Sequence, residues 1–333
     1  MIIDSHSHPF GPTGKGQPFQ FPIRSRNAVP PGAEAGVKDM LGRHLAVMDR
    51  LGIEKRVYVP VPPQSNDFVA KAVARYPDRF IGYAYVYIAE GDELKQELDE
   101  MERSVKDLNL KGFKIYPVFH GKTMSAPELR PIFEKANELK VPVLLDTLLI
   151  VRGFVEMEGY QLPEWRIPVS TGGLRYDAHN PARLVFSDVM DGLDDLIVIL
   201  AHFGGGLWMY QHWPSIHNDM RDKAFGVNWG GMPMHRFKKF YYDMCYPYPL
   251  DTPHPPCPGG QPSMGPNWFY ELFIRIVGED RILWGTDSTF YPEVVAERTK
   301  RELEMIASLD IDPEARDKIL WKNAVRLLKL DLP

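Results

Sequence analysis

Eight short apolar runs, each followed by a polar or amphipathic stretch, constrain the fold of this 333-residue chain more than any other feature. They occupy residues 2–5, 56–60, 80–86, 112–116, 143–145, 196–201, 240–244 and 282–285. Several are almost continuous in Val, Ile, Leu and Phe, the form that strands buried on both faces require, since neither face is left to water. The segments between them have the helical period instead. In 92–108, Leu94, Leu98, Met101, Val105 and Leu108 form one stripe with Glu and Lys opposite. In 38–51, Leu41, Leu45, Met48 and Leu51 do the same, and Gly52 follows as a left-handed cap. Ser125-Ala126-Pro127-Glu128 has the form of a capping box and opens a third helix. Strand and helix thus alternate eight times within one compositional regime. The pattern predicts an α/β fold, a closed (β/α)8 TIM barrel forming one domain over residues 1–333, in preference to an open doubly wound sheet.

Composition narrows the function classes. Apolar residues at 44% and charged residues at 25% supply a full core. A formal net charge of −5 with no Lys/Arg block offers nothing for nucleic acid or an anionic membrane to bind. Cys245 and Cys257 are separated by a proline-rich interval rather than by metal-site spacing, so reduced, incidental thiols are expected. No leader-like start and no membrane-length apolar run is present, which gives a cytoplasmic reading with a small-molecule partner and a possible homodimer. Stretches 9–36, 152–176 and 246–266 are loaded with Gly, Pro and aromatic residues, and each follows a strand. They are expected as long βα loops on the carboxyl-terminal face, walling an active site.

If the barrel is right, the residue that ends each strand faces its mouth. Asp4-Ser5-His6-Ser7-His8 ends the first, and residues i and i+2 of a strand share a face, so His6 and His8 can meet one ion. The fourth strand ends in Lys114, the fifth in Asp146, the sixth in His202, the seventh in Asp243 and the eighth in Asp287. Several carboxylates and imidazoles at one mouth demand a cation, a proton or partners, and a divalent ion would supply the compensation. Gly204–Gly206 after His202 point to a close backbone approach. Asp243 is expected behind the ligands, and Asp4 in backbone bonds.

These motifs resemble the amidohydrolase superfamily, in its amidohydrolase-related branch, which contains aminocarboxymuconate-semialdehyde decarboxylase and resorcylate-type decarboxylases alongside hydrolases. The likeness runs nearly end to end through Asp4–His8, Gly112-Phe113-Lys114, Ala201-His202-Phe203-Gly204-Gly205, Gly285-Thr286-Asp287 and the closing segment 318–327. It implies that His6, His8 and Asp287 bind one divalent metal ion, zinc first, with manganese or iron as alternatives. It implies a catalytic role for His202, and for Asp287 as the base on a metal-activated water. Where the family commonly has a further histidine ligand this chain has Asp146. Asp146 is therefore expected to ligate through oxygen, the alternative being that His202 or His179 completes the shell.

The resulting expectation is a metal-dependent hydrolase of a small organic acid, lactone or amide, with decarboxylation of an aromatic or unsaturated acid as the alternative. A catalytically inactive barrel acting as a binding protein, and Schiff-base chemistry at Lys114, are remoter readings. Lys114, Arg175 and Trp208 are the candidate substrate contacts. For Lys114 a salt bridge at the mouth competes with that role, and for Trp208 packing of a helix on the barrel does.

Overall fold

The computed structural model describes residues 1–9, 33–61, 64–147, 179–210, 234–245, 267–288 and 292–331. Strands form at all eight apolar runs. In chain order they are β1 (Ile3–Ser7), β2 (Lys55–Tyr58), β3 (Phe80–Gly82), β4 (Ala84–Tyr85), β5 (Phe113–Ile115), β6 (Val143–Leu145), β7 (Val198–Leu200), β8 (Phe240–Asp243) and β9 (Ile282–Leu283). β3 and β4 are two halves of one run, interrupted at Tyr83. Its amide still donates to Tyr58 O at 3.0 Å while Ala84 N turns to Gly112 O at 2.8 Å. Tyr83 is held inward there, where a Cβ on Gly112 would lie 2.8 Å from its ring.

Neighbouring strands are parallel throughout, in the order β1-β2-β3 and β4 to β9. The ring closes between its first and last members. Ser5 N donates to Trp284 O at 2.9 Å and Asp287 N to His6 O at 2.8 Å, and a parallel bridge joins Ser7 to Ser288. The expected closed barrel is thus present. Alternate residues divide between two cores. Ile3, Val57, Val59, Ile81, Leu144 and Leu283 fill the interior, which the terminal helix Asn323–Leu328 plugs from below with Ala324 and Leu327. Phe113, Ile115, Val143, Leu145, Val198 and Leu200 face outward into the helical layer.

Two of the predicted helices form almost as read. α1 (Ala33–Leu51) begins earlier than the expected residue 38, and Gly52 ends it at φ 68°. α2 (Asn66–Val73) is followed by α3 (Asp92–Lys106), the second predicted helix. α4 (Leu129–Leu139) corrects the capping box: Ser125 pairs with Thr123, Glu128 takes Lys122, and the helix starts after both. Lysine is the stronger partner for that carboxylate, so it is drawn away from the backbone amides. Of the long loops, residues 10–32, 152–176 and 246–266 lie outside the described residues, while 33–36 belong to α1. No helix among the described residues is long and apolar enough to cross a membrane.

Candidate metal centre

A bulge in β1 decides which way the two histidines point. Asp4 pairs with Arg56 and Ser7 with Tyr58, so three steps along β1 match two along β2. Simple alternation from inward-facing Ile3 would put Ser5 and Ser7 inside. The extra residue reverses the parity, turning His6 and His8 to the mouth and Ser7 outward, where its Oγ donates to Val57 O at 2.7 Å.

Both imidazoles are then locked in one tautomer. His6 Nδ1 donates to Asp243 Oδ2 at 2.8 Å, and His8 Nδ1 to Val59 O at 2.8 Å. An ionised carboxylate and a carbonyl only accept, so each ring carries its hydrogen on Nδ1 and presents a lone pair at Nε2. Those two Nε2 atoms lie 3.1 Å apart. Asp287 Oδ1 stands 3.2 Å from His8 Nε2 and 4.0 Å from His6 Nε2. Three acceptors therefore converge. A proton on one imidazole satisfies that arrangement in part; a divalent ion satisfies all of it, and the donor set fits such an ion.

The electrostatics agree. Burial, and then the Lys114 charge, hold the His6 imidazole below its ordinary pKa, against the pull of Asp243, which favours the neutral ligating form. Burial pushes the Asp287 carboxyl up, but the close approach of His8 and the electrostatic pull of the surrounding imidazoles His202, His8 and His6 outweigh it and hold the group well below the usual carboxylate range. Asp287 is the open member of the trio at 20% exposure, against 0% for His6.

Asp243 is the hub behind this trio. Besides His6 it accepts from the amides of His202 at 2.7 Å and Cys245 at 3.2 Å. Only its position at a strand end signalled this role. His202 follows β7 with its ring 5.6 Å from that of His6 and its Nδ1 3.3 Å from Cys245 O. His202 and Phe203 have φ of 54° and 55°, and Asp287 has φ 48°, a conformation that L-residues disfavour. Gly204–Gly206 continue the left-handed run, and the close approach expected of them is to Tyr242, whose ring would meet a Cβ on Gly204 at 2.7 Å.

Asp146, the other anticipated ligand, meets a lysine. Its Oδ2 accepts from Lys114 Nζ at 3.0 Å, and it belongs to neither group of converging donors among the described residues. Lys114 faces inward between Phe113 and Ile115, completely buried, 4.5 Å over the Tyr116 ring. Paired buried charges of this kind neutralise each other, which leaves Asp146 a weaker claim on a cation. Trp208, expected on the substrate wall, is buried edge-on to Phe269 and Phe273 and belongs to the packing of helix Asn267–Val277. Arg175 lies outside the described residues. Cys245 is a buried free thiol whose sulfur lies close behind His6, a contact that nothing in the sequence signals.

A parallel barrel with a His, His, Asp donor set at its mouth defines a metal-centred barrel of the kind that supports many reactions. The chain belongs to the amidohydrolase family, whose model matches residues 3–330. It is 24% identical to the 2-amino-3-carboxymuconate-6-semialdehyde decarboxylase of Dictyostelium discoideum over 80% of this chain and 66% of that protein. It is 26% identical to the gamma-resorcylate decarboxylase of Rhizobium radiobacter over 88% of each. The dihydroxybenzoic acid decarboxylase of Polaromonas sp. JS666, solved with manganese and 2-nitroresorcinol, superposes with a TM-score of 0.68 at 21% identity. That match covers 100% of this chain and 98% of the other.

Proposed function

We propose that this chain is a metal-dependent decarboxylase of a small aromatic or unsaturated carboxylic acid, with His6, His8 and Asp287 holding one divalent ion. The observation that carries the reading is the convergence of two tautomer-locked imidazoles and one carboxylate oxygen within 4.0 Å at the barrel mouth. Relatives aligned over most of the chain are decarboxylases, which weighs against the hydrolysis expected from the same residues. Manganese is preferred to zinc, since an oxygen ligand hardens the site and a structural neighbour carries that ion.

His6, His8 and Asp287 would hold the ion, which would supply positive charge at the mouth to offset the charge that develops as carbon dioxide leaves. The carbon–carbon bond breaks with its electron pair staying on the substrate carbon, and His202 delivers the proton that replaces the carboxylate. His202 then recovers a proton from solvent. Cys245 O fixes its Nδ1, so the exchange runs through Nε2. Asp287 stays ionised beside it as a ligand. Lys114, ion-paired with Asp146, keeps enough positive field at His6 to favour the neutral imidazole.

Manganese-loaded protein incubated with dihydroxybenzoic acids in D2O tests the reading. Carbon dioxide release with one deuterium at the vacated carbon is expected. Turnover of lactones or amides with solvent oxygen in the product, and no carbon dioxide from any acid, overturns it in favour of hydrolysis.

A further inference from the structure

One fully buried carboxylate close to the centre has no part in the chemistry above. Asp4 lies two residues before His6, outside the mouth, in the layer between barrel and helices. Its Oδ1 accepts from Thr286 N at 2.9 Å and from His6 N at 3.3 Å. Its Oδ2 accepts from Thr286 Oγ1 at 2.7 Å and pairs with Arg56 Nε at 2.8 Å. Arg56 in turn donates to His44 Nδ1 at 2.6 Å, and burial followed by the Arg56 charge holds that imidazole neutral, with its pKa lowered to about 2.

Thr286 immediately precedes Asp287, and each of its polar groups is engaged. Its amide and hydroxyl go to Asp4, its carbonyl accepts from Arg298, and its Oγ1 accepts from Ser288 N at 3.0 Å. The peptide that launches Asp287 into its left-handed conformation is therefore immobilised. One carboxylate thus grips the backbone of both segments that carry the converging donors, which are 282 residues apart in sequence.

We propose that Asp4 is a positioning residue for the metal centre: by binding His6 N and Thr286 together it sets the distance between the two imidazoles and Asp287, and hence the affinity for the ion. This rests on the reading that those three residues hold a divalent metal. Neutral asparagine cannot replace Asp4, because its NH2 would face an N–H or O–H donor or the Arg56 guanidinium. The hydroxyl of Thr286 is the other half of the grip.

The test is the Mn2+ dissociation constant of the full-length chain, measured by calorimetry beside the melting temperature of the metal-free protein. Asp4→Asn is expected to weaken Mn2+ binding about 10–100-fold. Thr286→Val weakens it in the same direction, Thr286→Ser stays within about twofold of the native value, and the Asp4→Asn/Thr286→Val pair is no worse than the larger single change. A purely structural role would lower the melting temperature and leave the Mn2+ constant of the folded protein alone, and that result overturns the proposal. If Asp4→Asn does not fold, the valine and serine variants decide: equal losses in both overturn it. Native protein that takes up no Mn2+ overturns the metal reading and this inference together, whereas native binding with unchanged variants overturns this inference alone.

Discussion

Replacing Asp243 by asparagine tests the tautomer argument on which the metal centre depends. In the native chain two carboxylate oxygens serve three N–H donors, Oδ2 taking His6 Nδ1 and Oδ1 taking the amides of His202 and Cys245. Burial pushes the Asp243 carboxyl up, but the hydrogen bond from His6 and the pull of His6 and the His202 amide outweigh it and hold the group below the usual carboxylate range. Asparagine keeps one acceptor and offers NH2 in place of the other. The two backbone amides cannot change what they present, whereas an imidazole can move its hydrogen. The oxygen therefore goes to the amides, NH2 faces His6 Nδ1, and His6 must carry its hydrogen on Nε2. That hydrogen points at His8 Nε2, 3.1 Å away, and the lone pair meant for the ion is gone. Restoring it sets N–H against N–H in a buried site, at a cost of about 1–3 kcal/mol, or roughly 5–150-fold in Mn2+ affinity. The metal-free variant meanwhile gains an N–H···N bond between the histidines, so its melting temperature holds or rises. Calorimetric Mn2+ titration with paired melts reads both quantities. Native affinity in folded Asp243→Asn would refute the claim that Asp243 fixes the tautomer.

Other perturbations give distinct readouts. His8→Ala removes one donor, so the melting temperature of the variant should be the same with and without EDTA, whereas chelation should destabilise the native metal-loaded protein; an EDTA-sensitive variant contradicts the ligand assignment. Gly285→Ala places a Cβ 2.8 Å from Cys245 Sγ and 3.1 Å from the His6 amide, so a loss of about 1–3 kcal/mol is expected in denaturant unfolding, partly recovered by Cys245→Ala. Unchanged stability would show that β1 yields there. Glu302 is raised from 4.5 to about 8 by burial, against the pull of Arg298. Between those two values the folded state keeps a proton that the unfolded state has released. This group's contribution therefore falls as pH rises from about 4.5 to about 8 and is level above, a swing of at most about 5 kcal/mol. Glu302→Gln should remove that swing, and parallel pH profiles of native and variant stability would contradict it.

The alternation of eight buried strands with amphipathic helices was legible because burial on both faces leaves a continuous apolar run, a local property that survives without knowledge of partners. The donors His6, His8 and Asp287 were legible for a related reason, since strand ends in a parallel barrel share one face. Partnership was not legible. Asp146 and Lys114 end adjacent strands, and only the register of β5 on β6 pairs them with each other, 3.0 Å apart. A β1 bulge sets the parity of the histidines, and it shows only in the register of β1 on β2. Asp243 reaches His6 across 237 residues, and Asp4 reaches Thr286 across 282. Sequence thus determined which groups stand at the mouth, because side-chain period and burial are local. Tertiary structure alone decided which of them share a proton, a charge or an ion, because hydrogen bonding and Coulomb energy depend on distances of a few ångströms that only the closed sheet fixes.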